Sequence, residues 1–279
     1  HSLVGSEMCI RDSEYTNLMI TGLARLRAQM LETSAQGVAV WDGVGEGDAG
    51  GTASVVNLWR EAGVPFEHVR VQADDAEPAG VTTQPLKEPA SAVTGWPHTY
   101  AIEAMLFSDA TGYSRLSEEQ IPLFFEHYVG AVAALNDRTE HKAVHIETAG
   151  DGMYLVFDDT RTAAHYALEL SELMSGRDWQ AYGLPADLGI RVGLHCGPVF
   201  AGRDPITGLP LYSGTHTSRT ARIEPVTPPG QVYASSAFAA VTAARNAAGL
   251  RFSYIGRTQL AKDYGVLPLY HVKRDSRLR

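Results

Sequence analysis

Leu106-Phe-Ser-Asp-Ala-Thr-Gly-Tyr-Ser114 and Glu147-Thr-Ala-Gly-Asp-Gly-Met-Tyr-Leu-Val-Phe157 are the two segments that reveal most about this chain. Each has an aspartate beside an apolar run: Asp109 follows the first run, and Asp151 lies in a glycine turn before the second. If both runs are strands of one sheet, the two carboxylates can meet at one edge. Carboxylate pairs beside a glycine-containing loop suit a metal-bound triphosphate, so these segments predict such a site.

The elements predicted around these segments support that meeting. Ile102–Ser108 is predicted as a buried strand, Glu118–Asn136 as an amphipathic helix, and Val144–Thr148 and Met153–Phe157 as two further strands. The helix has apolar residues at helical spacing, namely Ile121, Phe124, Phe125, Tyr128, Val132 and Leu135. A strand–helix–strand crossover makes the first two strands parallel. The third strand then fits antiparallel between them, which brings Asp109 beside the turn that carries Asp151.

The composition predicts a soluble, cytoplasmic protein. Of the 279 residues, 44% are hydrophobic and 20% are charged, which allows a substantial core. No run of about 18 or more apolar residues occurs, so we expect no membrane partner. The net charge of −9 argues against a nucleic-acid partner, but not against a nucleotide whose charge is offset by metals and a few local cations. Cys196 is expected to be a buried strand residue without a disulfide.

Several segments, in this order, resemble the class III nucleotidyl cyclase catalytic domain of adenylate and guanylate cyclases. They are Phe107–Ser114, Thr148–Gly152, Ile190–Gly202, Tyr212–Glu224, Pro229–Ser235 and Leu260–Tyr270. The resemblance covers about Ala101 to Val272. It implies an α+β fold, a ferredoxin-like βαββαβ domain with extra C-terminal strands, in which Ile190–Gly202 would form a central strand pair.

The resemblance also implies a metal site. Asp109 and Asp151 match the family's metal-binding pair, and the Ala110 carbonyl would be a further ligand. Two divalent ions, Mg²⁺ or Mn²⁺, would activate the attacking ribose oxygen and neutralise the leaving pyrophosphate. Taken singly, Asp109 could instead cap a helix and Asp151 could simply fill a turn.

The residues after the first aspartate are expected to bind the substrate's phosphates. The backbone N–H groups of Thr111, Gly112 and Tyr113 can cradle phosphate oxygens, and Gly112 allows a close approach. Tyr113 matches a position that is usually Phe in the family, so its side chain is expected to pack in the core.

A second set of candidate residues lies further along the chain. Arg222 matches the family's arginine that stabilises charge on the α-phosphate, and Lys262 matches the lysine that contacts the triphosphate. Ser218 is found where the family has an asparagine that orients the ribose. Serine could do so only through water or with help from His216. A solvated surface arginine is the alternative for Arg222.

The two positions that match the family's base contacts are Glu147 and Leu211. Guanylate cyclases carry Glu at the first position, where a carboxylate can accept hydrogen bonds from guanine. Leu211 cannot hydrogen-bond, so the substrate stays open between GTP, ATP and a pyrimidine triphosphate. For Glu147, an ordinary surface position on a strand is the alternative.

The resemblance predicts an enzyme, an adenylate/guanylate cyclase-type phosphorus–oxygen lyase. It would convert a nucleoside triphosphate to a 3′,5′-cyclic nucleotide and pyrophosphate in signalling. In this family the site forms between two domains packed head to tail, and one chain here holds both residue sets, so a homodimer is implied. The alternative is a catalytically weak or inactive regulatory nucleotide-binding module, because position 218 lacks Asn. A diguanylate cyclase is disfavoured, because no Gly-Gly-Asp/Glu-Glu-Phe segment is present.

The chain is expected to divide into five regions. Residues 1–13 include Leu3–Ser13, which resembles the translation of a transposon-type sequencing adaptor. Residues 14–73 form a partial Rossmann-like segment, residues 74–99 a Pro-rich linker, residues 100–273 the cyclase domain and residues 274–279 a tail.

The Rossmann-like segment is predicted from the order of its elements. Asn17–Thr33 and Thr52–Ala62 have helical patterns, Gly37–Asp42 and Phe66–Val71 have strand patterns, and Gly43–Gly51 is a glycine-rich loop. This order resembles the C-terminal end of the lysine-decarboxylase-like, nucleotide-sensing Rossmann families. A purely structural βαβ remnant is the alternative.

Overall fold

An eight-stranded mixed sheet is the centre of the structure, a computed structural model that describes residues 3–41, 43, 51–70, 98–245 and 248–275, with only the backbone of 3–9. Its strands are β3 (Thr99–Thr111), β4 (His145–Ala149), β5 (Gly152–Phe157), β6 (Gly189–Arg203), β7 (Pro210–Ser213), β8 (Val232–Ser235), β9 (Leu250–Gln259) and β10 (Val266–Arg274). A separate parallel pair consists of β1 (Gly37–Trp41) and β2 (Phe66–Arg70).

Helices cover mainly one face of the large sheet. They are α1 (Leu3–Met30), α2 (Thr52–Glu61), α3 (Gln120–Leu123), a π-helical turn (Phe124–Val129), α4 (Gly130–Arg138), α5 (Thr160–Ser175), α6 (Thr215–Ile223) and α7 (Ser236–Ala244). The predicted helix Glu118–Asn136 is therefore observed as one nearly continuous run through α3, the π-helical turn and α4.

The predicted ferredoxin-like topology is confirmed. The order β4-β5-β3-β6 places β5 antiparallel between β3 and β4, so those two strands are parallel as expected. Strands β8, β10 and β9 extend the sheet beyond β6. The expected strand pair at Ile190–Gly202 is wrong, because β6 is one continuous strand. It pairs with β3 from Gly189 to Ala201, and the Asp204-Pro turn comes only after it.

The main core lies between the sheet and the helices α3–α5 and α7. Leu106 and Leu155 project from the strands, and Phe124, Tyr128 and Leu170 meet them from the helices. Phe125 was predicted to lie on the apolar face of this helix together with Phe124 and Tyr128. That prediction is wrong, because Phe125 is 46% exposed. One residue step turns a helix by about 100°, which carries Phe125 away from the face of Phe124.

The opposite face of the sheet carries α6 and a smaller apolar cluster of Met105, Tyr154, Val156 and Val199. Two glycines let α6 lie close to β6. A side chain at Gly193 would place its Cβ 2.6 Å from the Glu224 backbone nitrogen, and one at Gly197 would strike the His216 ring. This face is the one to which Asp109 belongs, since Phe107 two residues earlier packs on the same cluster.

The upstream elements are close to those predicted. The helix predicted for Asn17–Thr33 overlaps the longer α1, which begins earlier and ends at Met30. Strand β1, helix α2 and strand β2 occur at the predicted places, with β1 and β2 parallel. Helix α1 packs against α7 and reaches the central strands, where the Tyr15 hydroxyl donates to the Cys196 carbonyl at 3.0 Å. Cys196 is a buried free thiol, as expected.

Some predicted regions fall largely outside the described residues. Of the glycine-rich loop, only Gly43 and Gly51 are described, and of the linker 74–99, only His98 and Thr99, where β3 already begins. The tail is described to Asp275. Among the described helices, none combines the length and the apolar character needed to cross a membrane.

Candidate active site

Asp109 and Asp151 lie side by side at one edge of the sheet. Asp109 pairs with Gly152 across β3 and β5, and the Ala110 backbone N–H donates to the Asp151 carbonyl at 3.3 Å. Strand β5 lies antiparallel between β3 and β4 and so brings the end of β3 to the β4–β5 turn. The predicted proximity of the two aspartates is therefore confirmed. Gly150, with φ of 65°, allows that turn to be tight.

The two carboxylates influence each other. Burial raises the pKa of Asp151, and the negative charge of Asp109 raises it further. Tyr128 is also affected by both groups: burial, followed by the charges of Asp109 and Asp151, raises the pKa of its hydroxyl. Two acidic groups held this close accumulate negative charge that a divalent cation can neutralise. Within the described residues, no cluster of three or more His, Cys, Asp and Glu suits a metal, so a cation here would rely on two carboxylates and backbone oxygens.

Arg191, which no sequence pattern above had marked as a site residue, completes this cluster. It lies opposite Asp109 across β3 and β6, and its Nη2 is 2.6 Å from Asp109 Oδ2. Its Nε is 2.7 Å from Glu224 Oε1, although neither of these two atoms has a well-aligned hydrogen bond, so this contact is chiefly one of charge. Burial raises the pKa of Glu224 to about 7, while Arg191 opposes the shift.

A sequence signal for Arg191 did exist. Strand alternation places Arg191, Gly193, His195 and Gly197 on one face of β6, away from the apolar Ile190 and Val192. A strand with a long cation and two glycines on a single face indicates close contact with another element. The sequence does not show which carboxylates that cation meets.

The predicted phosphate loop follows directly after β3. Gly112 has φ of 97°, a left-handed conformation suited to glycine, and it begins a short 3₁₀ turn, Tyr113–Arg115. The Tyr113 ring packs 4.8 Å from the Phe124 ring centroid, as expected for a core side chain. Thr111 Oγ1 is buried and has no hydrogen-bond partner among the described residues.

Ser218 and Arg222 project from the outer side of α6. Thr220 and Ile223 are fully buried against the sheet, whereas Ser218 is exposed and Arg222 half-buried. Neither side chain has a hydrogen bond or ion pair to any residue that the structure describes. Arg222 and Glu224 are two residues apart, or about 200° around the helix, so Arg222 points away from the Arg191–Asp109 cluster of its own chain.

The expected help from His216 is contradicted. Its Nδ1 is 2.8 Å from His195 Nε2, and Tyr15 meets its ring edge-on at 5.6 Å. Burial lowers the pKa of His216 to about 4. The ring therefore faces the sheet, about 200° around the helix from Ser218, and cannot assist that serine.

Lys262 lies in a strained turn that is joined to α6. Lys262 and Asp263 have φ of 57° and 53°, which non-glycine residues rarely adopt. The Tyr264 hydroxyl donates to the Thr215 carbonyl at 3.3 Å. A buried cluster of Ile223, Leu260 and Leu269 joins the same two elements. The turn that carries Lys262 therefore packs on α6, the helix that also carries Ser218 and Arg222.

The two candidate base-contact residues lie on β4 and β7. Glu147 pairs with Tyr154 and so shares the sheet face of Asp109; its side chain is 51% exposed. Glu147 Oε1 is 2.7 Å from His145 Nε2. Leu211 lies opposite Gly202 and next to Tyr212, whose carbonyl accepts from the Tyr154 hydroxyl at 3.3 Å.

Comparison with known proteins identifies a related family. A family model described as the adenylate and guanylate cyclase catalytic domain matches residues 98–267. The receptor-type guanylate cyclase gcy-6 of Caenorhabditis elegans is 28% identical over 152 residues, which are 50% of this chain and 14% of that protein. The chain thus spans about a seventh of the length of this curated relative.

Solved structures share the fold. The guanylate cyclase domain of RhGC from Catenaria anguillulae, solved with GTP, has a TM-score of 0.53 at 19% identity and covers 64% of this chain and 100% of its own. Adenylyl cyclase CyaB from P. aeruginosa has 0.54 at 16%, covering 65% and 98%. A guanylyl cyclase domain of the RhoGC fusion protein from Blastocladiella emersonii, described as a non-canonical dimer, has 0.50 at 18%, covering 64% and 98%.

Proposed function

This chain belongs to the adenylate and guanylate cyclase catalytic-domain family, and from that we propose that it converts a nucleoside triphosphate to a 3′,5′-cyclic nucleotide and pyrophosphate. The observation that carries the proposal is the closeness of Asp109 and Asp151, which are near enough for the charge of one to shift the pKa of the other, beside Arg191. A carboxylate pair, a neighbouring guanidinium and a glycine loop match the needs of triphosphate chemistry.

The donor set fits a divalent metal. The two carboxylates would hold Mg²⁺ or Mn²⁺, with the Ala110 carbonyl as a further ligand. Burial and then the charge of Asp109 raise the pKa of Asp151, and a bound cation would offset the repulsion between the two carboxylates. When bound, two such ions supply charge neutralisation and a more acidic ribose 3′-hydroxyl. Since Arg191 touches Asp109, a metal must share or displace that contact.

The chain's own cations and amides are suited to the phosphates. The backbone N–H groups of Thr111, Gly112 and Tyr113 would donate to phosphate oxygens. Arg191 can turn from Asp109 toward a phosphate, because guanidinium binds both groups with similar geometry.

The second set would act on the same substrate from the other side. Arg222 would stabilise charge on the α-phosphate as pyrophosphate leaves, and Lys262 would bind the triphosphate. Ser218 would orient the ribose through water. Glu147 would contact the base, and Leu211 would pack against it without a hydrogen bond.

We propose that these two sets meet across a head-to-tail homodimer. Within one chain, Arg222 points away from Asp109 by about half a helical turn, so one domain offers the metal ligands while its own Arg222 faces outward. A second copy, related by a two-fold axis, can supply the missing set at each of two equivalent sites.

The direct test is product identification. Purified protein is incubated with Mn²⁺ and, separately, with ATP, GTP, UTP and CTP, and products are identified by mass. The proposal expects a cyclic nucleotide and pyrophosphate from at least one of them. Nucleotide binding without any cyclic product would favour the alternative, a regulatory nucleotide-binding module, for which Ser218 in place of asparagine is the supporting observation.

Asp109→Ala and Asp151→Ala provide the matched test of the metal ligands. Each removes one of two charged ligands, so turnover should fall at least about a hundredfold. The far-ultraviolet spectrum and the dimer mass should be unchanged, because neither side chain is part of the core. Asp187→Ala, which removes a partner of exposed Arg115, is the control and should keep full activity. Near-normal product from either aspartate variant would overturn the assignment.

A further inference from the structure

His145 and Glu147 form a side-chain pair that no other assigned role explains. Both lie on edge strand β4, two residues apart, so they share one face, and His145 Nε2 is 2.7 Å from Glu147 Oε1. The exposures differ sharply: the His145 side chain is 8% exposed and the Glu147 side chain 51%. A buried ring therefore holds a carboxylate that is open to a ligand.

Aromatic neighbours fix the position of the His145 ring. The Tyr212 ring lies 5.2 Å away, and the Tyr154 ring lies 6.2 Å away, nearly perpendicular. Tyr154 in turn stacks on Phe107 at 4.6 Å. The His145 ring thus has little freedom to move, and its hydrogen bond restricts the rotamers of Glu147.

The direction of this hydrogen bond follows from chemistry. An ionised carboxylate can only accept, so Nε2 of His145 is the nitrogen that carries the proton and donates. One lone pair of Glu147 Oε1 is then engaged, and the other lone pairs of this half-exposed carboxylate remain available as acceptors. The pocket therefore offers a fixed acceptor where the base is expected.

We propose that His145 is a positioning residue that aims Glu147 at a ring N–H of the base, so that the site selects guanine or uracil nucleotides over adenine or cytosine nucleotides. This inference rests on the proposed function for the place of the nucleotide. Guanine N1 and uracil N3 carry a hydrogen that Glu147 can accept, and guanine adds its exocyclic amino group.

The same carboxylate disfavours the other two bases. Adenine N1 and cytosine N3 carry no hydrogen, so each would turn a lone pair toward a lone pair of the Glu147 carboxylate. An acceptor facing an acceptor leaves both groups without a hydrogen bond where the bound base excludes water, and a site built for hydrogen bonding rejects such a base. Leu211 cannot offset that loss, since it has no donor.

The experiment measures binding separately from turnover. Four 3′-deoxynucleoside triphosphates, which lack the attacking hydroxyl, displace a fluorescent nucleotide from the full chain in Mn²⁺. His145→Phe keeps the aromatic packing and removes the donor, whereas His145→Gln restores a donor. His141→Phe is the control, because His141 also faces a glutamate, Glu169 at 3.5 Å, but on the α5 side of the molecule.

The wild type should bind the guanine and uracil compounds more tightly than the other two, by about tenfold or more. His145→Phe should reduce this preference about three- to tenfold, His145→Gln should restore most of it, and His141→Phe should not change it. Adding His145→Phe to Glu147→Gln should cause no further loss, because His145 acts through Glu147.

Three results would overturn the inference: equal binding of all four compounds by the wild type, an unchanged preference in His145→Phe, or an equal weakening of all four, which marks a merely structural role. Failure of the proposed function looks different. In that case no cyclic product forms from natural triphosphates, yet the base preference and its dependence on His145 remain. Comparison of the guanine and uracil compounds then identifies the base.

Discussion

Arg191 is the residue that links the two halves of the candidate site. Its guanidinium contacts Asp109 on the metal-ligand side and Glu224 at the end of α6. Glu224 is only 8% exposed, so this carboxylate is held in the protein chiefly by the neighbouring cation. A substitution of Glu224 should therefore alter both the stability of the fold and the ion pair between Arg191 and Asp109.

Glu224→Gln should flatten the dependence of stability on pH. Burial raises the pKa of Glu224 from 4.5 to about 7 in the folded chain. Between those values the folded chain binds more protons than the unfolded one, so the free energy of unfolding falls as pH rises through that window. The free energy of unfolding is measured by urea denaturation from pH 4 to 8 without added divalent metal. It should fall less steeply with pH in the variant, and the difference in slope should correspond to at most about one bound proton.

Other carboxyl groups do not obscure this comparison. Burial also raises the pKa of Glu103 to about 7, but Glu103 is present in both proteins and cancels from the difference. Exposed Glu118→Gln is the control and should leave the profile as in the wild type. A profile for Glu224→Gln that matches the wild type would show that Glu224 does not titrate in this window.

At the scale of elements, the contact between α6 and β6 positions Arg222. Gly193 and Gly197 lie four residues apart on one face of β6, and α6 lies directly on them. Without a Cβ at either position, the helix backbone approaches the strand closely. Any side chain there must push the helix outward and move Ser218 and Arg222 with it.

Gly193→Ala should lower both stability and turnover. The new Cβ would lie 2.6 Å from the Glu224 nitrogen, and overpacking of this kind costs about 1–3 kcal/mol, or several degrees in melting temperature. Calorimetry and initial rates measure the two effects. Because the shift moves transition-state groups, kcat should fall more than the affinity for nucleotide.

Gly130→Ala is the matched control. Gly130 begins α4, and its new Cβ would meet nothing closer than the Phe125 carbonyl oxygen at 3.8 Å. Alanine favours a helix over glycine, so this variant should be neutral or slightly more stable. If Gly193→Ala were as stable and as active as Gly130→Ala, the close approach of α6 to β6 would contribute nothing measurable to stability or turnover.

At the scale of the whole molecule, the two residue sets face different directions. Asp109 and Asp151 lie together at the sheet edge, while Ser218 and Arg222 extend outward from α6 and Lys262 is joined to the same helix by Tyr264. If sites form between two copies, defects in different sets can reside in different chains. Complementation then tests the assembly itself.

Mixing Asp109→Ala with Arg222→Ala should restore activity that neither variant has alone. In a mixed dimer one site carries both defects and the other carries none, so an equal mixture should recover about a quarter of wild-type activity. The measurement is cyclic nucleotide formed after co-refolding or subunit exchange. Native mass spectrometry must first show that mixed dimers are present.

The outcome separates two architectures. Two differently mutated chains cannot complement each other if each site is contained within one chain. Absence of recovery, despite proven mixed dimers, would therefore contradict a shared site. Asp109→Ala mixed with Asp151→Ala is the negative control, because both changes lie in the same set and no native site can form.

Much of the architecture could be predicted from local patterns. Apolar periodicity and turn glycines identified β3, β4, β5 and the intervening helices, because each pattern spans only a few residues and depends on nothing distant. The crossover rule then placed Asp109 beside Asp151, since a strand–helix–strand unit leaves few arrangements. The upstream order of β1, α2 and β2 could be predicted in the same way.

Only the tertiary structure could decide which distant groups meet. Arg191 is 82 residues from Asp109, His216 turns inward to His195, and α1 packs on α7 instead of standing apart from the domain. Such pairs depend on strand register and helix packing, which no local pattern encodes. His145 shows the difference most clearly. In the sequence it is one histidine on a strand, and only the buried ring's contacts with Tyr212 and Glu147 give it a role, because burial and geometry decide what an imidazole can hold.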